Sequence, residues 1–323
     1  REFFASHGNF GLPEKQLRFF AQGMLPAFSA DGKILRASRG ELALSPNGNG
    51  GVYLSLHESG MLAQLEREGV TSLFQFGVDN VLCRVAEPTF VGFCANRGAE
   101  CGVKTIATDD PPGKVGVPAL VDGAPSVVEY SEITRAMAEA RADDGRLIYG
   151  SAHVCINWFS VPFLRRFTDE HLLSSLPLHV ARKKVAFIDE HGSLKTPEEA
   201  NASKLELFIF DAFPFAKKLV ALEVPREDEF APVKNAPGSA SDSPDTARRL
   251  FSSLCARLWK SAGGSFVEPA KPSSESDDLF EISPLASYAG EGLAQHLHAS
   301  PVALPAQIEA TGSDGGEGRV KRR

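Results

Sequence analysis

The stretch "SPNGNGGVYLSL", residues 45–56, sets three glycines and two asparagines in front of an apolar, helix-like run. Gly48, Gly50 and Gly51 have no Cβ, so the main chain there can take positive φ and can be approached closely. The N–H groups at a helix start are ordinarily free and carry partial positive charge. The loop therefore reads as a tight turn, or as a place where a ligand lies against bare backbone. Residues 52–67 carry Val52, Leu54, Leu56, Met61, Leu62 and Leu65, with Glu66 and Arg67 polar, which predicts an amphipathic helix. "LRFFAQ" (17–22) reads as a short strand before the loop. "TSLFQFGVDN" (71–80) reads as an apolar strand after it, stopping at Asp79-Asn80. Strand, loop, helix, strand is one α/β unit, and ligands of such sheets sit beyond the carboxyl ends of the strands.

Further along, a helix is expected over 88–97. Strands are expected over 102–107, 115–121, 126–130, 146–149, 184–189 and 218–224. Helices follow over 131–142, with Ser131 as N-cap, and over 246–263. "KLELFIFDAFPFAKK" (204–218) carries aromatic residues at helical spacing, which reads first as core. The Ser-, Pro- and acid-rich stretches 236–245 and 268–278 read as solvated loops, and 312–323 as a disordered end.

A chain of 323 residues can bury one large core or two smaller ones. Its net charge of −7 argues against a general nucleic-acid surface, while leaving room for a local basic pocket. No apolar run reaches the roughly 18 residues that span a bilayer, so no membrane partner is expected. The five cysteines form no CxxC pair, which argues against structural zinc, and scattered thiols suit a reducing, cytoplasmic setting.

Asp79, at a strand end, can hold Mg²⁺, which takes one or two carboxylates plus substrate phosphates, or can simply stabilise the strand exit. Lys204 and Lys234 can follow a phosphate as compact point charges, or can be solvated surface residues like Lys217 and Lys218. Glu129, beside Tyr130, can accept bonds from sugar hydroxyls or cap the helix that follows. His296 and His298 lack a third ligand nearby and read as surface residues. Together these features favour a phosphate-bearing or nucleotide-like ligand.

Several strings, in order, resemble the eukaryotic UDP-N-acetylglucosamine pyrophosphorylases. They are "FFAQGMLPAFSADGKI" (19–34), "SPNGNGGVY" (45–53), "VDNVL" (78–82), "VVEYSEI" (127–133), "KLELFIFDAFPFAKK" (204–218), "REDEFAPVKNA" (226–236) and "EISPLASYAGEGL" (281–293). The resemblance implies a Rossmann-like mixed α/β sheet of a nucleotidyltransferase. It gives a catalytic region over 1–235, a smaller α+β region over 236–308 and a disordered tail over 309–323. The implied reaction joins UTP and N-acetylglucosamine 1-phosphate into UDP-N-acetylglucosamine and pyrophosphate, with Mg²⁺ or, alternatively, Mn²⁺. By match of motif, Gln22 and Gly48 would contact uridine, where a Cβ would block the approach. Asn49 would meet the ribose or sugar, Asp79 the metal and phosphates, and Lys204 and Lys234 the phosphates. Glu129 and Tyr130 would meet the hexose, while Gly116, Phe208 and Phe210 would shape a pocket for the N-acetyl methyl.

Two departures bear on this implication. The family's glycine-rich phosphate loop belongs upstream of residue 1 and is not in the sequence, which implies a partial chain lacking the first strands of its sheet and impaired by itself. In "YGSAHVCINWF" (149–159), His153 stands where the family has an asparagine that touches the sugar. A histidine has a different reach, which bears on the choice among N-acetylglucosamine, N-acetylgalactosamine and glucose. A UDP-glucose or broad UDP-sugar pyrophosphorylase is thus the nearest alternative, and a non-catalytic nucleotide-sugar-binding or assembly protein the alternative of another class. Oligomeric state is not legible.

Overall fold

Apolar side chains on both sides of "SLFQF" and of "SAHVCINWFS" require a sheet covered on two faces, and a computed structural model supplies it. It describes residues 1–109, 111, 115–130, 132–169, 172–267 and 279–310, and the backbone of 320–322. In chain order, α1 is Gly51–Glu58, α2 Met61–Arg67, β1 Ser72–Phe76, α3 Pro88–Asn96, β2 Cys101–Ala107, β3 Val117–Val121 and β4 Ala124–Val128. Then come β5 Ser151–Ser160, α4 Val161–Asp169, β6 Ala202–Glu206, β7 Leu219–Glu223 and α5 Pro244–Ser261, followed by β8 Phe280–Ile282, β9 Ala306–Ile308 and β10 Val320–Arg322.

The central sheet is mixed, as the sequence implies, with order β7-β2-β5-β1. β7 runs parallel to β2, and β5 runs antiparallel to both β2 and β1. Hence β1, β2 and β7 send their carboxyl ends to one edge, where β5 begins. One face is covered by Tyr53 and Leu56 of α1, Leu62 of α2, Phe163 and Phe167 of α4, and Phe213. The other face is covered by Phe90 and Cys94 of α3 and by Phe230. Past the sheet, α5 packs Cys255 and Trp259 on β8 and β9 in a separate apolar cluster. α5 starts at Ser243, whose side chain accepts from Thr246 N, with Pro244 in the first turn.

Some local expectations need correction. Residues 17–22 form no strand; the first is Met24–Pro26, paired with Leu44–Pro46. The helix expected over 52–67 is two helices, broken at Gly60, whose φ of 69° leaves the helical region. Only Arg135–Ala138 of 131–142 is helical, with Thr134 accepting from Met137 N as the cap; Ser131 lies outside the described residues. Residues 146–149 make a single bridge, Leu147 to Arg141, rather than a strand. Within 184–189 only Phe187–Ile188 is extended in a ladder. The aromatic run 204–218 ends β6 and enters a 3₁₀ turn over Ile209–Phe215. The stretch 268–278 lies outside the described residues, and in the expected disordered end Val320–Arg322 pairs with β9. The expected surface residue His296 is buried within the C-terminal part.

Candidate functional site

At the edge where β1 ends and β5 begins lies a cleft of about 650 Å³. β1 contributes Gln75 and Phe76 and leads straight into Asp79; β5 contributes His153 and Cys155; the segment after β4 contributes Glu129; the loop past Phe230 contributes Lys234. A second cavity of about 360 Å³, lined by Gly48, Lys204 and Phe208, adjoins it and shares Gln22 and Asn49. The expected residues Gln22, Asn49, Asp79, Gly116, Glu129, His153, Phe210 and Lys234 thus line the first cavity, and Gly48, Lys204 and Phe208 the second. Tyr130 lines neither and is exposed.

Asp79 and Lys234 oppose each other with Lys234 Nζ 3.7 Å from Asp79 Oδ2, both half-exposed at the cleft mouth. The backbone beside them is tied, Val233 N donating to Asp79 O at 2.9 Å. Asn80 carries the tie inward: its side chain donates to Glu229 O at 2.7 Å and accepts from Ala231 N at 2.9 Å.

The glycine loop is held by the protein itself. Gly48 has φ 85°, and a Cβ there would lie 2.3 Å from Leu207 O. Gly50 N donates to Leu207 O, and Leu207 N donates to Asn47 O, both at 2.8 Å. Gly51 N and Val52 N donate to Gly48 O and Asn49 O, so the first donors of α1 are already used. The glycines therefore admit the chain's own 206–208 segment, while Gly48 also lines the second cavity. Gln22 Nε2 donates to Gly48 O. Asn49 Oδ1 accepts from Ile209 N at 2.8 Å, fixing the loop over the cleft floor.

A polar chain runs from the cleft into the sheet, with His153 and Asn157 buried and Gln75 half-buried. His153 Nε2 bonds Asn157 Oδ1 at 2.8 Å, and Asn157 Nδ2 donates to Gln75 Oε1 at 2.5 Å. With Asn157 Oδ1 as acceptor, His153 Nε2 carries the proton, leaving Nδ1 as its acceptor. Burial lowers the His153 pKa and its bond to Asn157 opposes this; the ring stands edge-on to Phe210 at 6.2 Å. Burial raises the Glu129 carboxyl, and Glu132 adds to it. Phe208 stacks on His179 at 4.2 Å, and His179 Nε2 lies 3.1 Å from both oxygens of Asp211. Sequence reasoning missed Gln75, Cys155 and Asn157; the one available signal was polar residues set inside apolar strands.

The mixed sheet with its polar cleft across the strand ends superposes on UDP-N-acetylglucosamine pyrophosphorylase structures, which places it in the nucleotidyltransferase class of fold. The family model described as UTP–glucose-1-phosphate uridylyltransferase matches residues 7–268, and the chain belongs to that family. The chain is 42% identical over 306 residues to the Homo sapiens UDP-N-acetylhexosamine pyrophosphorylase-like protein 1, covering 92% of this chain and 60% of that protein. It is 38% identical over 297 residues to the UDP-N-acetylglucosamine pyrophosphorylase of Saccharomyces cerevisiae, covering 91% and 60%. The inhibitor-bound crystal structure of the Trypanosoma brucei uridine diphosphate N-acetylglucosamine pyrophosphorylase superposes with a TM-score of 0.77 at 32% identity, over 92% of this chain and 61% of that one. The chain thus spans about three-fifths of the length of these relatives. Among the described residues, no helix is long and apolar enough to cross a membrane, and no group of three or more His, Cys, Asp or Glu is arranged to hold a metal.

Proposed function

We propose that the protein takes part in uridylyl transfer, joining UTP and N-acetylglucosamine 1-phosphate into UDP-N-acetylglucosamine and pyrophosphate. The observation that carries this reading is the Asp79–Lys234 pair at 3.7 Å at the mouth of a cleft whose inner wall holds Glu129, His153 and Phe210. The names of relatives at about 40% identity support the same chemistry.

The sugar-phosphate oxygen attacks the α-phosphorus of UTP in line; the bond to the β-phosphate oxygen breaks, and pyrophosphate leaves with the electron pair. Two polyanions at about 4 Å repel unless neutralised, and Lys234 and Lys204 supply positive charge to each side of the joined cavities. Gln22 and the loop at Gly48 are suited to the uridine end. Glu129 and the Nδ1 of His153 accept bonds from hexose groups. Phe208 and Phe210 give an N-acetyl methyl an apolar face and exclude water from the transfer. Asp79 fits Mg²⁺ as a lone, half-exposed carboxylate, the donor set that leaves the other positions to water and phosphate oxygens. The metal when bound neutralises phosphate charge; Mn²⁺ would fit the same oxygen. A cytoplasmic setting is consistent with five free cysteines.

A preference for glucose 1-phosphate is the second reading, favoured by His153 in place of an amide at the sugar wall. The test is pyrophosphate release by the purified full-length protein with UTP, Mg²⁺ and each sugar phosphate in turn. Faster release with N-acetylglucosamine 1-phosphate supports the first reading; faster release with glucose 1-phosphate supports the second. Tight UDP-sugar binding without release would make the protein a non-catalytic binder.

A further inference from the structure

β2 carries a lysine, Lys104, with no solvent exposure. Its Nζ lies 2.5 Å from Glu87 Oε2 and 2.8 and 2.7 Å from the two oxygens of Glu229. Arg84 Nη1 lies 3.7 Å from the other oxygen of Glu87, so two cations meet two carboxylates. The Phe90 ring lies 5.5 Å from the ammonium on a further side. A buried ion pair of this kind is weak support for stability, since apolar residues of similar volume often serve as well. What this one joins is more telling. Glu87 closes the loop that begins at Asp79, and Glu229 opens the loop that carries Lys234. The two loops are also linked by a short ladder: Val81 N to Ala231 O, Ala231 N to Asn80 Oδ1, Asn80 Nδ2 to Glu229 O, and Val233 N to Asp79 O. Lys104 ties the inner ends of both loops to the central sheet.

We propose that Lys104 is a positioning residue: clamped between Glu87 and Glu229, it sets how Asp79 and Lys234 stand across the cleft. Buried charge is directional where apolar packing is not. Two carboxylates that must each reach one ammonium have little freedom to slide, and a loop displacement at Glu229 passes through five residues to Lys234. The kinetic part of the proposal rests on the uridylyl-transfer reading; the geometric part does not.

The test uses Glu229→Gln and the double variant Lys104→Met/Glu229→Gln, with two readouts. Amide exchange at Ala231 and Val233 should quicken at least about tenfold in Glu229→Gln, with the β1–β5 ladder unchanged. Turnover should fall by about tenfold or more, with the KM for sugar phosphate moving less than about threefold. The double variant, which removes the surplus buried charge and leaves Glu87 to Arg84, should regain thermal stability while exchange stays fast and turnover stays low. Unchanged exchange in Glu229→Gln would overturn the proposal. So would a double variant that regains protection and turnover together with stability, since the cluster would then serve folding alone. If the unaltered protein performs no uridylyl transfer, the functional reading falls while the exchange arm still decides the positioning role. If the double variant does not fold, Glu229→Gln decides by itself.

Discussion

Lys234 and Asp79 stand 3.7 Å apart with their main chains joined next door by Val233 N and Asp79 O at 2.9 Å. The main chains that carry the two charges are thus held together, and a cation and an anion are offered to the cleft side by side. An ammonium beside a carboxylate suits phosphate chemistry in which metal and lysine share the same oxygens.

Removing either member should therefore cost turnover. In the uridylyl-transfer assay, Asp79→Ala and Lys234→Ala are each expected to lower kcat/KM at least about 10²-fold, the scale for losing a group that stabilises a transition state. Near-normal rates in either variant would take that residue out of the mechanism.

Gly48 gives a prediction about folding. Its φ of 85° and the 2.3 Å approach a Cβ would make to Leu207 O both oppose a side chain. Gly48→Ala should destabilise the protein by about 1–3 kcal/mol, seen as a lower urea midpoint. An unchanged midpoint would mean that the 206–208 segment yields freely.

His153 links stability to pH. Burial pushes its folded pKa below the ordinary 6.5, so the unfolded chain binds the extra proton first. Its contribution is complete above that value and is lost as pH falls below it. His153→Asn should flatten this part of the stability profile and shift the ratio of rates with N-acetylglucosamine and glucose 1-phosphates. No shift in that ratio would leave His153 without a role in sugar choice.

Glu129 has the opposite sign. Burial raises its carboxyl above the ordinary 4.5, so the folded protein binds the extra proton and stability falls as pH rises through that raised window. Glu129→Gln should stabilise the protein at neutral pH while weakening UDP-sugar binding. A thermal midpoint that drops in Glu129→Gln would show that its charge is compensated in the fold.

How much of this was legible differs from element to element. β1 and Asp79 were readable because an apolar run ends abruptly in Asp-Asn, and a strand end is where such sheets bind. The glycine loop reads as a tight turn or a ligand approach, but its close packing on Leu207 is a tertiary fact, since Leu207 lies far along the chain. β5 escaped notice as a strand because His153 and Asn157 interrupt its apolar pattern, and the bond that makes them tolerable indoors is a tertiary fact. Lys104 carries no local signal, because its partners lie 17 and 125 residues away.

The most direct measurement is a structure of the protein with UDP-N-acetylglucosamine bound. The diphosphate should lie between Lys204 and the Asp79–Lys234 pair, uracil beside Gln22 and Gly48, and the hexose against Glu129 and His153. A ligand seated elsewhere at saturating concentration, or an empty cleft, would contradict the account.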